Sequence, residues 1–127
     1  MSSMTIAYEK IIAHLRERLV EELGDKIESI VLYGSVARNE AHEDSDIDIL
    51  VVIRDDDRKL YDKISKIRTR IDLDNNTLTA LVQMSRNELE RYLKLGSPFM
   101  ESVVEDGVIL HDSGFFEKIR GSLAPKS

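Results

Sequence analysis

At 127 residues the chain has the size of one ordinary domain and is too short for two. With 42% hydrophobic and 33% charged residues it can bury a core and stay in water, while a net charge of −6 disfavours wrapping of long nucleic acid, which needs a broad basic surface. The absence of cysteine excludes a disulfide framework and a zinc–thiolate site, and it fits a reducing cytosol.

No repeat, low-complexity stretch or linker interrupts the chain, so one domain over residues 1–127 is expected, with frayed ends at 1–4 and 121–127. Tyr8, Ile11, Ile12, Leu15, Leu19 and Leu23 recur at helical spacing and Gly24 stops the helix. Ser29 to Tyr33 reads as a buried strand entering a turn at Gly34. Val36 to Glu40 has room for one helical turn, and Ala41 to Asp44 reads as a polar loop. Ile47 to Ile53 is a second strand, rich in β-branched residues. It is the longest apolar run, yet it is interrupted by Asp48 and is too short to span a bilayer. No secretory signal pattern opens the chain, so a cytoplasmic protein is expected.

Asp55, Asp56 and Asp57 lead into a helix with core stripe Leu60, Ile64, Ile67 and Ile71, acidic residues there favouring the helix dipole. Asp72 to Asn76 reads as a polar loop and Leu78 to Met84 as a third strand. Ser85 and Glu88 have capping-box spacing at the head of the next helix. Gly96-Ser97-Pro98 breaks that helix and starts another, with Pro at its first position. Asp106-Gly107 turns into a last strand, Val108 to His111. The alternation predicts an α/β layer domain with a small mixed sheet.

The chemistry concentrates in Val31-Leu32-Tyr33-Gly34-Ser35, then ten residues, then Asp46-Ile47-Asp48. Side chains alternate along a strand, so Asp46 and Asp48 share a face while Ile47 and Ile49 take the other. Two close carboxylates repel each other, and a hard divalent ion with oxygen ligands, Mg²⁺ above all, resolves the conflict. Glycine lets backbone approach a phosphate closely, and the Ser35 hydroxyl with nearby N–H groups can donate to its oxygens. Phosphoryl transfer needs positioning and charge cancellation, which these parts supply. Gly-Ser alone predicts only a turn, and Asp-x-Asp alone is common. Together, at two strand ends and interrupting a buried run, they make a specific signal.

This Gly-Ser, ten residues, Asp-x-Asp pattern resembles the signature of the nucleotidyltransferase superfamily that includes DNA polymerase β and the kanamycin nucleotidyltransferases. The flanks Leu-Tyr-Gly-Ser-Val-Ala-Arg and Ser-Asp-Ile-Asp-Ile-Leu-Val are most similar to the minimal nucleotidyltransferases (MNT) of bacteria and archaea, and Ser97-Pro98-Phe99 to His111 looks like their closing segment. The resemblance implies a mixed sheet flanked by helices and transfer of a nucleoside monophosphate, AMP from ATP, to an acceptor hydroxyl. It implies that Asp46 and Asp48 are catalytic and hold Mg²⁺, in a two-metal site, while Gly34 and Ser35 hold the triphosphate. Arg38, one helical turn from Ser35, is a candidate for a further phosphate contact; an exposed helix-terminal arginine is the alternative. The resemblance also implies a helical HEPN-type protein as partner and acceptor, the chain acting as the antitoxin of a toxin–antitoxin pair. A homo-oligomer is left open.

One feature departs from the family pattern. Active members commonly carry a third carboxylate on a later strand, where Leu78 to Met84 has none and Thr79 or Ala80 takes its place. Asp72 and Asp74 lie upstream as loop residues, and Glu40, Glu43 and Asp44 belong to an acidic loop. The departure keeps a second function in play: an inactive nucleotidyltransferase fold that binds and neutralises a partner. Addition to tRNA 3′ ends is disfavoured by size and acidity. His14, His42 and His111 lack metal-ligand spacing, with only His42 in reach of a triphosphate, and Lys63, Lys66, Arg68 and Arg70 read as a solvated helix face.

Overall fold

The computed structural model describes residues 3–38 and 46–123, with side chains from Tyr8 onward. The turn expected to reach Glu40 and the loop from Ala41 to Asp44, with His42 and Glu43, therefore fall outside the described residues beyond Arg38. Helix α1 (Ser3–Leu23) buries Tyr8, Ile12, Leu15, Leu19 and Leu23 of the predicted stripe and leaves Ile11 half-buried at its edge, and a short 3-10 turn from Gly24 follows. Strand β1 (Ile27–Tyr33) starts two residues earlier than predicted and ends at Gly34, where a single turn of helix, α2 (Gly34–Ala37), begins. Strand β2 (Ile47–Ile53) matches its prediction end to end.

Helix α3 (Arg58–Asn75) opens on Asp57, whose carboxylate accepts from the backbone N–H groups of Lys59 and Leu60. It buries Ile64, Ile67 and Ile71 and continues through Asn75 before Asn76 closes it in the left-handed region, φ 53°. The loop predicted from Asp72 is thus one last helical turn. Its cause is Asp72 itself, a buried carboxylate that accepts from the hydroxyls of Thr77 and Thr79 and the N–H of Thr79. Strand β3 (Thr79–Ser85) leads into α4 (Arg86–Lys94) through the predicted Ser85–Glu88 capping box, and α5 (Pro98–Asp106) has Ser97 as N-cap and Pro98 in its first turn.

Strand β4 (Val108–Asp112) is followed by α6 (Phe115–Ser122), a helix the sequence pattern did not reveal. Asp112 makes it. Its carboxylate accepts from the N–H groups of Phe116 and Glu117 and from the Ser29 hydroxyl on β1, tying α6, β4 and β1 together. Helical structure thus takes in Ser3 and Met4 at one end, and Gly121 and Ser122 at the other, all within the stretches expected to fray.

The sheet order is β3-β2-β1-β4, with β1 antiparallel to both neighbours and β2 parallel to β3 through the α3 crossover. One face packs Ile30, Leu32, Ile47, Ile49 and Val51 against α1 and α3. The other packs Val31, Leu50 and Val52 against Leu89 of α4, Val103 of α5 and Phe116 of α6. The mixed sheet flanked by helices is the fold predicted. No described helix is long and apolar enough to cross a membrane.

Burial pushes the Asp112 carboxyl up, but the N–H groups of Phe116, Glu117 and Gly114 and the Ser29 hydroxyl outweigh it and hold it below its ordinary value. A carboxylate held low in the fold stabilises above its unfolded value and loses that contribution as it is protonated. Asp112→Ala should therefore lower stability by about 1–2 kcal/mol at neutral pH. In denaturant melts the gap to the unaltered protein should narrow below about pH 4.

Candidate active site

The site forms where β1 ends and β2 begins. Antiparallel pairing sets Tyr33 opposite Asp48, so the turn after β1 lies directly against the start of β2. Asp48 shares its face with Leu50 and Val52, the α4–α5–α6 side, because Ile47 and Ile49 are committed to the opposite core. Asp46, two residues earlier and exposed, adds its charge to that of Asp48. Burial first, then Asp46, raises the Asp48 carboxyl above its ordinary value, and Arg38 pulls it back down. The structure thus brings Gly34, Asp46, Asp48 and Arg38 together, with Ser35 one residue into α2.

Gly34 is required twice over. Its φ is +76°, which side-chain-bearing residues rarely adopt, and a Cβ there would collide with Oδ2 of Asp48. The same tightness gives backbone access to the carboxylate that no larger residue permits. Tyr33 also feels Asp48: burial, then that negative charge, pushes its phenol up, so it stays neutral. Its ring meets Phe99 of α5 edge-on, centroids 5.5 Å apart.

Two carboxylates facing repulsion, one partly buried, are a donor set that a hard divalent cation would relieve. Among the described residues no third His, Asp or Glu converges to complete a metal site. Water and phosphate oxygens would have to fill the remaining positions, as Mg²⁺ commonly allows. The position beside Asp48 on β3 is Ala80, and its neighbour Thr79 pairs with Ile47 and turns toward α3. Asp72 is occupied by its three hydrogen bonds on that α3 side, and exposed Asp74 pairs with Arg70 at 3.7 Å. Neither carboxylate joins Asp46 and Asp48.

A cavity of about 220 Å³ borders Gly34 and Arg38 and is walled by Tyr33, Phe99, Ser102 and Asp106. A larger one, about 540 Å³, lies between α1, α2 and β4, lined mainly by apolar groups such as Ile12, Leu32 and Val36. We place the site at the smaller cavity, because only it adjoins the glycine that touches Asp48. The lining residues Phe99, Ser102 and Asp106 were not singled out from sequence; their spacing on α5 was the available signal. His14 is exposed and His111 is half-buried on β4, and neither lines these cavities. Arg68, read as part of a solvated face, instead reaches inward to the Thr79 carbonyl at 3.5 Å.

The family model described as nucleotidyltransferase domain matches residues 12–111, the span from mid-α1 to β4. The chain belongs to the nucleotidyltransferase domain family. A Methanocaldococcus jannaschii protein named "Putative protein adenylyltransferase MJ0141" is 34% identical over 65 residues, 50% of this chain and 66% of that one, just under two thirds of its length. The nucleotidyltransferase fold is shared with a toxin–antitoxin complex solved with AMP-PNP, at TM-score 0.60 and 20% identity over 85% of this chain and 79% of that one. It is shared too with a complex of tri-AMPylated Shewanella oneidensis HEPN toxin and MNT antitoxin, at TM-score 0.51 and 20% identity over 91% and 77% of the chains.

Two substitutions probe this nucleotidyltransferase geometry. Gly34→Ala should cost about 1–3 kcal/mol in denaturant melts, from the positive φ and the collision with Asp48. Asp48→Asn removes a repelled, partly buried charge and should raise Tm in chelator by about 2 °C or more.

Proposed function

We propose that the chain transfers AMP from ATP onto a hydroxyl of a partner protein, and that the partner is a small helical protein of the HEPN class. The observation that carries this reading is the Gly34 backbone held against the Asp48 carboxylate, with Asp46 beside it. In this reading Gly34 and Ser35 hold the triphosphate through backbone N–H groups and the hydroxyl, and Arg38 adds a cationic contact. Asp46 and Asp48 would hold Mg²⁺, which when bound supplies charge neutralisation at the transferring phosphorus. The acceptor oxygen bonds the α-phosphorus and sheds its proton to solvent as the bond between the α-phosphorus and the α,β-bridging oxygen breaks, releasing pyrophosphate.

Exposure of Asp46 and Arg38 at the sheet end supports an acceptor that arrives on another molecule. The likeness to folds solved with AMP-PNP, and with an AMP-modified HEPN toxin, supports both the nucleotide and the partner. The reading places the chain in the cytoplasm as one domain, in the role of an antitoxin.

Ala80 favours a second reading. No β3 carboxylate stands beside Asp48 to take the acceptor's proton, which suits a protein that covers its partner without modifying it. Incubation with α-labelled ATP, Mg²⁺ and a candidate HEPN protein separates the two. Transfer of label that falls about 10³-fold or more in Asp46→Ala or Asp48→Ala, about 10²-fold in Arg38→Ala, and vanishes with chelator supports the enzyme. A stable complex that never acquires label supports the binder.

A further inference from the structure

We infer that the apolar cavity between α1, α2 and β4 is half of an interface between two copies of this chain, related by a two-fold axis. The axis sets α1 beside its own copy and β4 antiparallel to its own copy.

The cavity, about 540 Å³, lies beside β4, the outer strand at one end of the sheet, where Val108 is exposed. Along its rim α1 presents Glu9, Ala13 and Arg16, all exposed and spaced i, i+4 and i+7 on one side of the helix. This strip is its own complement. A two-fold rotation reverses it, so Glu9 of each copy faces Arg16 of the other. Ala13 then meets Ala13 near the axis, where a small side chain lets two helices approach. Neither Glu9 nor Arg16 has an ion-pair partner among the described residues. Arg16 gives one N–H to the Leu110 carbonyl at 3.3 Å and keeps the rest of its fork for a carboxylate.

The other end of the sheet is built differently. On β3, Asp72 holds the Thr79 N–H, Arg68 reaches the Thr79 carbonyl and Glu88 accepts from the Ser85 N–H, contacts that blunt an edge against another chain. On β4 the one such contact among the described residues is Arg16 to Leu110. Apolar side chains of the second copy enter the cavity beside Ile12, Leu32 and Val36, and the pairing is stabilised by the surface it removes from water. Val36 and Ala37 belong to α2, so the interface bears on the helical turn that begins at Gly34.

Sedimentation equilibrium of the unaltered protein at low salt should show a concentration-dependent dimer of about 29 kDa, twice the 14.5 kDa chain. Glu9→Arg and Arg16→Glu should each weaken that dimer about tenfold or more, because the symmetry repeats every repulsion. The variant carrying both changes restores the pairs with their signs exchanged. Its dimer should recover to within about threefold of the unaltered protein's affinity, which a loss of folding would not permit. Dimerisation that Glu9→Arg leaves unchanged, or that the double variant fails to recover, overturns this face as the interface. A monomer at every concentration up to about 1 mM overturns the dimer and leaves the cavity to another occupant.

Discussion

Asp48 stands against the chain just after β1 only because position 34 carries no side chain, and much of the local architecture follows from that close approach. The strand must end there, because the positive φ at Gly34 turns the backbone out of the sheet and into α2. The carboxylate must lie on the α5 side, because the residues flanking it, Ile47 and Ile49, are buried against α1 and α3. The antiparallel register that pairs Tyr33 with Asp48 locks the two requirements together, since a slip of one residue would bury the carboxylate among isoleucines.

Elsewhere the fold satisfies its buried or half-buried acids. Glu28, 5% exposed, sits between Arg86 at 3.4 Å and Arg54 at 3.6 Å. Asp57 caps α3, Asp72 accepts three hydrogen bonds, and Asp112 gathers donors from α6 and β1. Asp46 and Asp48 differ in kind. Among the described residues the opposing influences on Asp48 are another carboxylate and one arginine, and burial adds to the repulsion. Charges set against each other, in a protein that elsewhere satisfies its buried acids, are the kind of unrelieved repulsion that functional sites carry, which is what the proposed site requires.

What the sequence made legible follows from how local each signal is. β2 was read to the residue because its β-branched run has hard edges at Asp46 and Arg54, and its alternation already put both aspartates on one face. The Ser85–Glu88 box was equally local. The turn at Asp72 misled because aspartate and asparagine favour loops when nothing else decides; here Thr77 and Thr79, brought round by the start of β3, satisfy the carboxylate and let the helix run on. Helix α6 was invisible because its cap comes from a strand residue and its one fully buried residue is Phe116. The carboxylate pair and the Gly-Ser turn could be read along the chain, whereas the wall made by Phe99, Ser102 and Asp106 depends on α5 folding back across β1, a non-local event.

The β3 position beside Asp48 sharpens what the site can do. In a parallel pair the neighbour across from Asp48 is fixed by register, and here it is Ala80, whose methyl neither binds a cation nor takes a proton. No small slip of register would bring an acid there, since Ala80 is flanked by Thr79 and Leu81, and any slip would send Thr79 away from Asp72. In the transfer proposed above, the candidates for a base among the described residues are therefore the carboxylate pair itself, besides the nucleotide's phosphate oxygens and the molecule that brings the hydroxyl. On that proposal, a fold that drew part of its proton chemistry from its substrates would be slow alone and selective for acceptors that complete it.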